Sequence, residues 1–219
     1  MLLLSYVSLL LGVGLFLPLL FWPAGTWQWP LGWFYVGLIL VNFILNFSYL
    51  WRVNRELIEY RMALGAGTKR WDIVWAMFFG PLFMSIYVVA GFDAVRYGWS
   101  EMSIAWWWLG FIMHVSGAWL FAWSMGVNPF FEKTVRIQTE RGHRVIDTGP
   151  YSFVRHPGYL GFIGWGMAVP FLLGSWWALL PATLSVAGIA IRTALEDMTL
   201  REELSGYQAY TTRVRYRLI

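Results

Sequence analysis

The chain has no cysteine and little charge: only 13% of its 219 residues are Asp, Glu, Lys or Arg. The missing cysteines exclude disulfides, thiolate metal sites and a cysteine nucleophile together. The shortage of charge excludes an ordinary soluble domain, which carries about twice as much. Met1-Leu2-Leu3-Leu4-Ser5 lacks a basic n-region, so no cleaved signal peptide is expected and the first helix is expected to remain in the mature protein. There is no G-x-S-x-G elbow, no Walker phosphate loop and no G-x-G-x-x-G opening a βα unit, which argues against serine hydrolysis and a soluble nucleotide-binding domain. Histidines number only three. His114 lies within an apolar run and reads as a hydrogen-bonded contact between helices. His143 and His156 come without an H-E-x-x-H pattern or a carboxylate cluster, so no metal site is expected.

What the chain has in abundance is apolar surface: 58% hydrophobic residues, 20% aromatic, and a mean hydropathy of +0.54. Leu2–Trp22, Leu31–Trp51, Ile73–Val95 and Ile104–Met125 each approach the roughly 20 residues that cross about 30 Å of hydrocarbon as helix. In lipid every backbone polar group must be paired internally, which leaves helix as the workable state. A fifth apolar region, Gly158–Ile191, is too long for one span and carries Pro170 and Gly174-Ser175. It reads as two short helices. The expected fold is therefore all-α: a polytopic integral-membrane bundle of four spans, a C-terminal helical hairpin and a cytoplasmic tail helix.

The Lys and Arg residues are distributed unevenly. Five of the sixteen lie in Arg52–Arg70, five in Lys133–Arg155 and five in Arg192–Arg217, with Arg96 alone elsewhere. By the positive-inside rule those three segments, and both termini, are expected in the cytoplasm, as in a bacterial inner membrane. Trp27, Trp29, Trp33 and Trp106-Trp107-Trp108 fall near helix ends, where interfacial anchors belong. A net charge of +4 is explained by cytoplasmic loops meeting anionic lipid, so no nucleic-acid partner is expected. Asn42 and Asn46 stand one turn apart in the second run and read as interhelical hydrogen bonds or as the lining of a slot open to lipid.

The character of the chain changes near Val127. Residues 1–127 are apolar helices on short loops; residues 128–219 alternate polar segments with the hairpin and a charged tail. The connection Asn128–Pro157 is longer than packed elements usually need. At its end comes Gly149-Pro150-Tyr151-Ser152-Phe153-Val154-Arg155-His156-Pro157-Gly158-Tyr159-Leu160-Gly161. Polar groups this dense beside a bilayer are costly and point to a ligand site. Pro157 suits the first residue of a helix, whose free N–H groups would favour an anion. Gly158, Gly161, Gly164 and Gly166 permit either close helix contact or close approach of backbone to a ligand. In the tail, Glu196, Leu200, Glu203, Tyr207 and Tyr210 share a helical stripe that suits a polar cavity. Glu196 pairs either with Arg192 one turn earlier or with a cationic ligand group. Arg213, Arg215 and Arg217 anchor the tail to the membrane interface or meet substrate. An Arg/His/helix-terminus cluster opposite a carboxylate, flanked by tyrosines, matches a zwitterionic ligand with a planar ring.

Gly149-Pro150-Tyr151, Arg155-His156-Pro157-x-Tyr159-x-Gly161, Arg192, Glu196-Asp197-x-x-Leu200 and Tyr207-x-x-Tyr210-x-x-Arg213-Val214 resemble the integral-membrane isoprenylcysteine carboxyl methyltransferase family and its bacterial relatives, which are related to phospholipid N-methyltransferases. The resemblance covers about residues 128–215. It implies an S-adenosylmethionine-dependent methyltransferase without a Rossmann domain, acting on a lipophilic or lipidated acceptor such as an isoprenylcysteine-like carboxylate, with membrane lipid as its other partner. It further implies that His143, Tyr151, His156, Tyr159, Gly161 and Glu196 contact the cofactor, and that Arg192 or Arg213 orients substrate. The chain departs from the family pattern at Glu196-Asp197, where Glu-Glu is common, and at Leu204-Ser205-Gly206-Tyr207. Phospholipid amine methylation and an NADPH-dependent membrane sterol or enone reductase are the alternatives.

Overall fold

The computed structural model describes residues 14, 16–61 and 66–218. Among them every regular element is helical, and no strand occurs. Helix α1 covers 16–24. It is followed by α2 (Pro30–Val53), α3 (Arg55–Tyr60), α4 (Arg70–Gly91), α5 (Ile104–Val127), α6 (Pro157–Leu173), α7 (Leu179–Glu203) and α8 (Tyr207–Arg213). A π-helical turn, Phe92–Tyr97, continues α4 and ends at Gly98, whose φ of 60° is the left-handed conformation glycine adopts without strain.

Four helical stretches are long and apolar enough to cross a membrane: Pro30–Val53, Arg70–Tyr97, Ile104–Val127 and Leu179–Glu203. The chain is an integral membrane protein. Three of the four expected spans coincide with these stretches; Leu2–Trp22 falls largely outside the described residues. The region Gly158–Ile191 forms two helices as expected, but the second is not short. Helix α6 runs for 17 residues and passes through Pro170. Helix α7 runs for 25 and carries straight on through Arg192 to Glu203. The sequence between Arg192 and Glu203 is rich in good helix formers and has no Gly or Pro.

The chain divides into two compact units. The first comprises residues 1–46, 80–115 and 165–185. Its core includes Leu20, Tyr35, Ile39, Ile86, Tyr87, Val169 and Leu172, all buried. Several polar groups inside it pair with each other, while Asp93 Oδ1, Trp107 Nε1 and His114 Nδ1 are buried without a hydrogen-bond partner among the described residues. The hydroxyls of Tyr35 and Tyr87 lie 3.1 Å apart, and Asn42 faces Nε2 of His114 at 3.5 Å, the long limit of a hydrogen bond. Buried Asp93 accepts from Ser100 at 2.6 Å and from Ser175 at 2.5 Å.

The second unit comprises residues 47–79, 116–164 and 186–219. Here α6 lies against α5 at Gly161, where an added Cβ would come within 2.7 Å of both the Gly117 carbonyl oxygen and the Phe121 nitrogen. Trp75 of α4 donates to the Gly188 carbonyl of α7 at 2.8 Å. Asn54 donates to the Met125 carbonyl at the end of α5, also at 2.8 Å. The long connection folds back as two single 3₁₀ turns, Thr139–Arg141 and Gly149–Ser152. Gly206, with φ 81°, separates α7 from α8. Leu204, Tyr207, Tyr210 and Val214 then bury against Ile137, Val145 and Leu200.

Candidate functional site

A cavity of about 300 Å³ opens within the second unit, at the lower end of the range typical of small-molecule sites. One wall is apolar, formed by Trp75, Phe79, Phe121, Phe131, Phe162 and Ile189. The other walls carry polar and charged groups held by three buried carboxylate clusters.

Asp197 is the centre of the first cluster and is fully buried. Arg155 grips it with two hydrogen bonds, Nε to Oδ1 at 2.8 Å and Nη2 to Oδ2 at 3.1 Å. Arg201 and Arg217 each donate to Oδ2 at 3.0 Å. The second Arg155 amino group donates to the Val214 and Arg215 carbonyls at 2.8 and 2.6 Å. The backbone repeats the link: Arg155 and His156 N–H groups donate to the Tyr216 and Arg217 carbonyls, both at 2.9 Å. The turn before α6 is thus tied to the segment after α8.

This cluster fixes the state of His156. Tyr207 donates its hydroxyl proton to Asp197 Oδ1 at 3.0 Å, and burial and the Asp197 charge raise the Tyr207 pKa, keeping that proton in place. His156 Nε2 lies 3.3 Å from both Asp197 Oδ1 and the Tyr207 oxygen. Both neighbours are acceptors there, so Nε2 carries a hydrogen. Three arginines also surround Asp197.

The second cluster joins three distant segments. Arg192 donates to Asp72 from Nε at 2.7 Å and Nη2 at 3.2 Å, and to the Lys133 carbonyl at 2.8 Å. The Val135 N–H donates to Asp72 at 2.7 Å. The guanidinium lies 4.6 Å from the Trp75 ring centroid and 5.3 Å from that of Tyr159. Arg192 does not pair with Glu196; its donors are committed to Asp72 and the connection. In the third cluster Arg136 binds Glu132 at 2.8 and 2.9 Å and Glu140 at 2.7 Å.

Of the residues singled out in the sequence, His143, Tyr151, His156, Tyr159, Arg192 and Glu196 line the cavity. Tyr159 donates its hydroxyl proton to Glu196, and no cation pairs with that carboxylate among the described residues. Tyr151 accepts from Asn128 at 3.2 Å, while its carbonyl accepts from Tyr210 at 2.6 Å. The His143 ring packs on Phe130 at 4.5 Å, and its Nδ1 accepts from the Gln138 N–H at 3.3 Å. Burial, with help from Arg136 and Arg141, lowers the His143 pKa to about 4.

Two expected site residues lie elsewhere. Gly161 does not line the cavity; it provides the close contact with α5. Arg213 is exposed and pairs with Asp147 at 2.8 Å, because α8 turns its tyrosines inward and this arginine outward. Asp72, Arg61 and Lys133 were not singled out. Asp72 and Arg192 are 120 positions apart, so no local pattern could join them. A carboxylate at the very edge of an apolar run was the available signal.

Residues 109–202 match the isoprenylcysteine carboxyl methyltransferase (ICMT) family. The matched stretch holds His143, Tyr151, His156, Tyr159, Arg192 and Glu196, and with the apolar helices it indicates a membrane methyltransferase. Comparison with curated proteins finds no match.

Proposed function

We propose that this chain, a member through residues 109–202 of the isoprenylcysteine carboxyl methyltransferase family, transfers the methyl group of S-adenosylmethionine to the carboxylate of a lipophilic, isoprenylcysteine-like acceptor. The observation that carries this reading is Glu196, a carboxylate on the cavity wall with a tyrosine hydroxyl but no cation to neutralise it. It suits the ammonium of the donor. The His156 imidazole on the cavity wall offers a polar contact to the same ligand, and aromatic faces such as Tyr159 suit the sulfonium by cation–π attraction, about 0.5–2 kcal/mol. Cations on the same cavity wall, among them Arg61, Lys133 and Arg144, suit a carboxylate. The donor set therefore fits S-adenosylmethionine, which when bound supplies an electrophilic methyl on sulfur.

The chain's own contribution is positioning and exclusion of water, the largest lever for a reaction whose nucleophile is already ionised. A carboxylate acceptor needs no base. The imidazoles agree: Nε2 of His156 already carries its hydrogen, and His143, at about 4, is a poor base near neutral pH. An amine acceptor would need a better one, which favours the carboxylate over phospholipid amine methylation. The apolar wall of Trp75, Phe79, Phe121 and Phe162 suits the hydrocarbon part of the acceptor. On this reading the cavity faces the cytoplasm of a bacterial inner membrane, with both termini on that side.

Binding of tritiated S-adenosylmethionine to the purified protein, and its loss in Glu196→Ala and His156→Ala, is the direct test. Binding of NADPH in its place would point to reduction and end the reading. With lipid extracts as acceptor, the labelled product is expected to be a base-labile methyl ester; a base-stable N-methyl product would assign the amine reaction.

A further inference from the structure

Charges around the cavity do not balance within the protein. Among its lining cations Arg136, Arg155 and Arg192 each face a carboxylate within ion-pair distance. Arg61, Lys133 and Arg144 line the same cavity and have no carboxylate partner among the described residues. Of the two lining carboxylates, Glu132 is taken by Arg136, and only Glu196 is uncommitted. Three uncommitted cations thus stand against one uncommitted carboxylate.

Arg61 is the most constrained of the three. One amino group of its partly buried guanidinium donates to the Phe131 carbonyl at 2.9 Å. The guanidinium carbon lies 5.6 Å from the Phe131 ring centroid. Its remaining donors have no acceptor among the described residues. Burial and the neighbouring Arg192 lower its pKa to about 10, and burial and Arg61 lower that of Lys133. Two like charges are being held together against desolvation and repulsion, an arrangement that an incoming anion would relieve. Arg144, exposed at the rim, is under no such constraint.

We propose that Arg61 and Lys133 form a carboxylate-binding subsite of this cavity. The proposal rests on the methyltransferase reading for the identity of its ligand, whose carboxylate belongs either to the methyl donor or to the acceptor. Arg61 precedes the stretch that matches the family, and Lys133 comes from the connection between α5 and α6. Lys133 falls within residues 109–202 by number but outside the motifs that carry the resemblance. The subsite is a property of how the first polar loop meets that connection.

The test uses the full chain in lipid nanodiscs, with equilibrium binding and thermal shift as readouts. Four probes are compared: S-adenosylmethionine, its decarboxylated analogue, a farnesyl-thioether carboxylic acid and the neutral amide of that acid. Variants are Arg61→Ala, Arg61→Lys and Lys133→Ala, with exposed Arg55→Ala as control. A charge-assisted contact predicts a loss of about ten- to hundredfold for the carboxylate-bearing probe. Arg61→Lys should retain part of it. If the donor's carboxylate is the ligand, the alanine variants weaken S-adenosylmethionine but not its decarboxylated analogue. If the acceptor's is, they weaken the acid but not the amide, and both donors bind as in wild type. Equal weakening of acid and amide, and of both donors, would mean a structural role only and overturn the subsite. So would unchanged preference for each carboxylate in both alanine variants. Should wild type bind neither donor, the methyltransferase reading fails by itself, and the acid and amide still decide the subsite.

Discussion

At the scale of single residues the cavity works by fixing hydrogens. Asp197, fed by three arginines and a tyrosine, orders His156, and the Gln138 amide does the same for His143 by occupying Nδ1. A proton added at that nitrogen would break the bond, which accords with the lowered pKa. The sign follows. His143 titrates near 6.5 in the unfolded chain and near 4 in the folded one, so the folded form stays neutral while the unfolded form takes up a proton. Stability from this group is complete above about pH 6.5 and is lost as pH falls towards about 4. Denaturation midpoints measured at about pH 7 and pH 5 should therefore fall less in His143→Gln than in wild type. Six of the eight site residues expected from sequence reach the cavity wall: Tyr151, His156 and Tyr159 share one motif, His143 comes shortly before it, and Arg192 and Glu196 stand one turn apart on α7. Asp72 and Arg61 were illegible because what gives them meaning is a contact across the fold, and one apolar-run boundary looks much like another.

Among elements, glycine illustrates how context decides. Gly161 in α6 has the α5 backbone at 2.7 Å from any added Cβ, and backbone cannot step aside. Gly161→Ala is expected to destabilise by about 1–3 kcal/mol through overpacking. Gly80, inside α4, has open space around it, and Gly80→Ala should be neutral or stabilising by up to about 1 kcal/mol through helix propensity. Thermal unfolding of the two variants beside wild type checks both. Most helix positions were legible from hydropathy because lipid permits little else. The end of α7 was legible by a different signal: its last turns are polar, but Glu196, Leu200 and Glu203 keep the helical period and no breaker comes before Gly206. The break expected near Pro170 and Gly174-Ser175 falls at the second of these: α6 passes through Pro170 and ends at Leu173.

For the whole molecule, the absence of cysteine is an experimental asset. A single cysteine at exposed Ser103 should react with a membrane-impermeant maleimide on intact cells, and one at exposed Arg144 only after permeabilisation. The reverse pattern would invert the topology. The tail offers a second test. Deleting residues 214–219 removes two carbonyl acceptors of Arg155 and both backbone links to residues 155 and 156. Helical content by circular dichroism should persist while donor binding disappears. The segment 214–217 thus laces shut a turn some sixty positions upstream. During synthesis the membrane helices can insert as they emerge, but the pocket stays unfinished until Arg217 has cleared the ribosome. A chain stalled or clipped a few residues short would be correctly embedded and chemically mute.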